Sequence, residues 1–161
     1  MFKHILFPSD FSVPAKAAFK QVIELATLMH AKVTLMHAHD FLIPAMADAY
    51  AISYPALMGQ LSQELEEGAD KALAQIEQAL KEAGLDVETE IRHGNPGQEI
   101  ISVAQSKGCD MIIMGSRGLG AISSLLLGST SSYVLLHSPC AVMILPHGGH
   151  QDSDDEGVSS I

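Results

Sequence analysis

Two apolar runs flank the stretch "GSRGLGAISSLLLGSTSSYV", residues 115–134. Its small residues fall in a pattern: Gly115 and Gly118 bracket two residues, nine more follow, and Gly128-Ser129-Thr130 then opens a helical run. Glycine lets backbone N–H groups approach an anion with no Cβ in the way. A helix N-terminus adds unpaired N–H groups and a dipole that favours negative charge. Ser129 and Thr130 add hydroxyl donors. The chemistry that this spacing supports is a phosphate cradle. It is not a Walker A loop, because no Gly-Lys-Ser or Gly-Lys-Thr occurs. A dinucleotide fingerprint starting at Gly118 fails at its third glycine, where Ser123 stands.

A second chemical group lies far away in sequence. In "FPSDFS", residues 7–12, Asp10 follows a short apolar strand directly. A carboxylate at a strand's carboxyl end can accept hydrogen bonds from a ribose; it can equally act as a turn or helix-cap residue. His37, His39 and Asp40 share a strand end, yet no motif supplies a distant third metal ligand. A receiver-type phosphoacceptor needs further acids and a lysine after the last strand, and Leu145-Pro146 stands there instead. For adenylyl transfer there is no lysine-rich loop, and the one His-x-Gly-His, residues 147–150, sits in the tail; no Ser-His-Asp or Cys-His arrangement is suggested by spacing. Without a Walker lysine or an evident base, any hydrolysis would be slow.

These groups need elements to hold them. Short β-rich runs alternate with helical patterns, which predicts βαβ units and a parallel sheet. The strands are expected at His4–Pro8, Lys32–His39, Asp86–His93, Asp110–Gly115 and Ala141–Pro146. Ser12 caps a first helix carrying Phe19, Val22, Ile23 and Ala26 at helical spacing. Leu61, Leu65, Ala69, Leu73, Ile76 and Leu80 line one side of a long helix that ends at Gly84. Asn95, Pro96 and Gln98 open another, and a last one ends near His137. The alternating third strand reads as a half-exposed edge. If the sheet order is 3-2-1-4-5, strands one and four are neighbours, and Asp10 and Gly115 flank one crevice. The expected fold class is therefore α/β, a five-stranded parallel sheet with helices on both faces, a Rossmann-like three-layer sandwich. Residues 1–146 form one domain. Within it, 41–59 is an apolar insertion, read either as a cover over a site or a partner surface or as ordinary packing of an extra helical turn; the tail 147–161 is acidic and reads as disordered.

Bulk composition narrows the partners. Nine Lys and Arg against nineteen Asp and Glu give a net charge of −10, which cannot make a broad phosphate-binding face for nucleic acid. Only a local anion site built from backbone dipoles remains. No apolar run approaches the roughly 18 residues of a membrane span, and the run before Pro8 is too short for a leader. Cys109 and Cys140 form no Cys-x-x-Cys and read as reduced packing residues of a cytoplasmic chain.

Taken together, "PSDFS", "HAHD", "GNP" before a helix, and G-x-x-G-x9-G-S resemble the universal stress protein family, from about Phe2 to Pro146. The resemblance implies a homodimer paired through the last strand, Ala141 to Leu145, and adenine nucleotide binding of the ATP branch, with Mg2+ or Mn2+ bridging the phosphates. It implies phosphate and ribose contacts from Gly115, Gly118, Gly128, Ser129 and Thr130, and ribose binding by Asp10. Ala38 and Met114 would frame the adenine, with Pro8 and Ser9 shaping that wall. Ala38 stands where the family often has valine, which loosens the pocket. Arg117 is either a phosphate contact or a solvated side chain. The family reading makes the chain a nucleotide-dependent regulator or sensor; the rivals are an interaction module that binds no nucleotide, and a weak ATPase.

Overall fold

The computed structural model describes residues 1–40, 54–116 and 127–146. Five parallel strands, β1 (His4–Pro8), β2 (Lys32–His39), β3 (Val87–His93), β4 (Met111–Gly115) and β5 (Ala141–Leu145), form one sheet in the order β3-β2-β1-β4-β5. Four helices connect them: α1 (Val13–Met29), α2 (Pro55–Glu82), α3 (Pro96–Lys107) and α4 (Ser129–His137). The strand order and layers agree with the expected α/β sandwich, and β3 lies at an edge as its alternation requires.

The core divides at the sheet. On one face Ile5, Phe7, Val33, Leu35 and Ile113 pack with Ala18, Val22 and Ala26 of α1 and Leu73 and Leu80 of α2. On the other, Leu6, Met36, Ile112 and Met114 pack with Ile100, Val103 and Ala104 of α3 and Val134 of α4. Right-handed crossovers account for this division. The chain winds from β1 to β3 with α1 and α2 on one side, then returns past β1 to β4 and β5 with α3 and α4 on the other. The reversal falls between β1 and β4, where Ile5 pairs with Met111 and Leu6 with Ile112.

Caps stand where the side chains predict. Ser12 accepts from the Ala15 N–H and Asn95 from the Gln98 N–H. His30 and Gly108 close α1 and α3 in the left-handed conformation.

α2 starts at Pro55, so the end of the insertion is helical, in line with the extra helical turn that its sequence allows. Its apolar stripe is buried only in the second half: Leu73 and Leu80 are in the core, while Leu57, Leu61 and Leu65 are exposed. The remainder of the insertion, the central part of the glycine stretch and the acidic tail lie outside the described residues.

Candidate functional site

In a doubly wound sheet, α1 and α4 diverge from the reversal point and leave a crevice beyond the carboxyl ends of β1 and β4. Pro8 ends β1, Met114 and Gly115 end β4, and Ala38 lies near the end of β2. Ala38 packs against the same cluster as Met114, on the α3 and α4 side of the sheet. Gly128 is the N-cap of α4, and Ser129 and Thr130 are its first two residues. Every described candidate residue is thus at one end of the sheet. Arg117 and Gly118 lie outside the described residues.

The two ends of the glycine stretch are tied into a neck. The Ser116 N–H donates to the Leu145 carbonyl (2.8 Å), which extends the β4–β5 pairing by one residue. The Ser116 carbonyl accepts from the Gly128 N–H (2.8 Å) and from the Ser131 hydroxyl (2.8 Å), which also lies 3.0 Å from the Gly128 carbonyl. Ser116 and Ser131 are both buried. Gly128 was expected to offer its N–H to an anion, but that group is committed to the neck. The N–H groups of Ser129 and Thr130 have no intrahelical acceptor by helix geometry, so the donors at this end belong to them. Ser131 escaped the sequence reading; its signal was the run Ser129-Thr130-Ser131-Ser132, in which only the buried hydroxyl serves the neck.

Neck and helix are seated by a close approach between α3 and α4. A Cβ at Gly97 would stand 2.8 Å from Tyr133 Cδ1, so only glycine lets Tyr133 lie across the start of α3.

The opposite lip is the turn after β1. The buried Ser9 donates its N–H to the Met36 carbonyl (2.8 Å). Asp10 Oδ1 accepts from the Ser12 hydroxyl (2.6 Å) and the Ser12 N–H (3.1 Å). Asp10 therefore holds its own turn, the alternative role its sequence allowed. Phe11 has φ 63°, a left-handed conformation that costs a bulky residue about 1–2 kcal/mol. Such strain persists where surrounding contacts enforce it. His37 supplies one: its Nδ1 lies 2.8 Å from the Ser9 carbonyl and its ring packs 4.6 Å from Phe11. Burial holds the His37 pKa below the usual histidine value, against the hydrogen bond to Ser9, which raises it. The sequence read His37 as a strand-packing residue, and its link to the β1 lip appears only in three dimensions.

The thiols take no part. Cys109 and Cys140 are free, and burial pushes Cys109 up to about 11, as suits a packing residue. Among the described residues no helix is long and apolar enough to cross a membrane.

Comparison with known proteins agrees with this architecture. Residues 1–146 match the model of the Universal stress protein family. Universal stress protein MJ0577 of Methanocaldococcus jannaschii is 32% identical over 154 residues, covering 90% of this chain and 95% of that protein. Its solved structure superposes with a TM-score of 0.78, covering 93% of this chain and 99% of that one. Universal stress protein UspA from Lactobacillus plantarum is 28% identical, with a TM-score of 0.74 over 89% of this chain and 97% of that one. A universal stress protein solved in complex with cAMP shares the fold at 23% identity and a TM-score of 0.62, over 91% of this chain and 98% of that one.

Proposed function

This chain belongs to the universal stress protein family, and from that premise we propose that it is an adenine-nucleotide-binding regulator, with ATP as the ligand. The observation that carries the reading is the neck: the Ser116 carbonyl gathers Gly128 and Ser131, and so aims the start of α4 at the crevice beside the β1 turn. A phosphate fits there by the chemistry of the donors, namely backbone N–H groups, two hydroxyls and the positive end of a nine-residue helix. The apolar wall of Pro8, Ala38 and Met114 suits a flat base, and Ser9 and Asp10 stand on the ribose side. That a family member has been solved with cAMP supports an adenine ligand.

On this reading Gly115, Gly118, Gly128, Ser129, Thr130 and Arg117 surround the phosphates, and Mg2+ or Mn2+ carried in with ATP would supply charge neutralisation there. The chain's own residues bind and orient; among those described none is poised as a base toward a phosphate, so occupancy rather than turnover is the signal. The setting is cytoplasmic. A second copy pairs along the edge strand β5, Ala141 to Leu145, to give a homodimer.

Equilibrium binding of ATP tests the reading. Saturable binding by the parent, weakened at least tenfold in Gly118→Val and Gly128→Val, is the expected result. Absence of saturable binding by the parent overturns it, and parent-like binding by both variants overturns the cradle.

A further inference from the structure

We propose that His37 is the positioning residue of the β1 lip, donating from Nδ1 to the Ser9 carbonyl and packing its ring on Phe11 so that Asp10 is held between two fixed neighbours. The consequence for ligand binding rests on the nucleotide reading above; the positioning itself does not.

Both backbone polar groups of Ser9 are tied to β2. Its N–H donates to the Met36 carbonyl and its carbonyl meets the side chain of the next residue, His37, each at 2.8 Å. A carbonyl only accepts, so the hydrogen sits on Nδ1. Two residues on, Phe11 is in the left-handed region and the His37 ring lies against it. One imidazole therefore grips the turn at Ser9 and at Phe11, and Asp10 is between them.

The ring is itself fixed from behind. His39 meets it edge-on (centroids 4.8 Å, 89°) and stacks on His93 at 5.0 Å. Asp70 of α2 lies 3.7 Å from His39 Nε2. This array runs from the edge strand to the lip on the α1 and α2 side, which leaves the opposite side of the sheet to the base-binding wall. Burial lowers the His37 pKa, which favours the neutral ring and so a single Nδ1–H tautomer.

Two variants separate the grip from mere bulk. His37→Phe keeps a flat ring against Phe11 and removes the donor. His37→Asn keeps an N–H close to the place of Nδ1 and removes the ring's outer half. ATP affinity is expected to fall about tenfold in His37→Phe, the size of one hydrogen bond, and to stay within about threefold in His37→Asn. Equal affinity of His37→Phe and parent overturns the proposal, as does Asn behaving no better than Phe.

Two readouts on the ligand-free full chain are independent of nucleotide. The imidazole nitrogen spectrum of the parent should show the Nδ1–H tautomer for His37, and an Nε2–H tautomer overturns the assignment even if a variant fails to fold. Backbone amide resonances of Ser9 to Ser12 should move in His37→Phe and remain near parent positions in His37→Asn. If ATP does not bind the parent, these two measurements decide the role of His37 while the nucleotide reading alone falls.

Discussion

The two ends of the sheet are held by different chemistry. At the carboxyl ends of β4 and β5 the Ser116–Gly128–Ser131 neck is made of neutral, buried hydrogen bonds. At the amino ends of β2 and β3 the ties are ionic. Glu88 pairs with Lys32 at 2.8 Å, accepts from Thr34 at 2.8 Å and lies 3.6 Å from Lys107, which also reaches Glu90 at 2.6 Å. Helix polarity explains the division. α1 and α4 begin at the carboxyl ends, where their positive dipole ends welcome an anion. α3 ends at the other side, with Lys107 in its last turn opposing the negative dipole end. The neck ties no charge to the start of α4, which leaves that dipole to a ligand, whereas the charges at the amino end tie strands together.

Substitutions at each end sharpen this contrast. The largest effect is expected for Gly97→Ala, because the added Cβ collides with the Tyr133 ring that seats α4. Overpacking of this kind costs about 1–3 kcal/mol, and urea unfolding should show it together with loss of nucleotide affinity. Ser131→Ala should cost about 1–2 kcal/mol by taking a donor from the buried Ser116 carbonyl. Because both partners are neutral, its cost should be the same at 50 mM and 500 mM salt. A marked salt dependence would break the contrast.

Glu88→Gln is the smallest of the three, about 1 kcal/mol at pH 7 for a partly exposed ion-pair group. Its sign follows from the titration. The hydrogen bond from Lys32 is the main reason that the Glu88 pKa is lowered from 4.5 to about 2. A carboxyl lowered on folding stabilises the protein above its unfolded value, and that contribution is lost as pH falls from about 4.5 to about 2. Parent and Glu88→Gln stabilities should therefore converge across that window, and added salt should narrow the gap at pH 7. A gap that persists at pH 2 would show that shape rather than charge is responsible.

α2 shows where periodicity reaches and where it stops. The spacing of Leu61, Leu65, Leu73 and Leu80 identifies one side of a helix, and those residues do share a side. It says nothing of how far the sheet extends beneath them. Twenty-eight residues span about 42 Å as a helix, while the eight of β2 span about 26 Å as a strand. Such a helix overhangs, and its first half keeps Leu57, Leu61 and Leu65 exposed. Strand limits follow more closely from sequence, since Pro8, His39 and Gly115 end apolar runs that flank turn residues.

The sequence by itself determined the alternation of strands and helices, the caps at Ser12 and Asn95, and the family through the spacing of its glycines. The alternation and the caps depend on backbone preference or on neighbours within about four positions, and the glycine spacing is read directly from residue order. Tertiary structure alone decided that Gly128 spends its N–H on Ser116, that Ser131 rather than its neighbours is the buried hydroxyl, and that His37 grips the turn around Asp10. These depend on which groups of distant segments meet within hydrogen-bonding distance, and only the packing of helices on both faces of the sheet sets that distance.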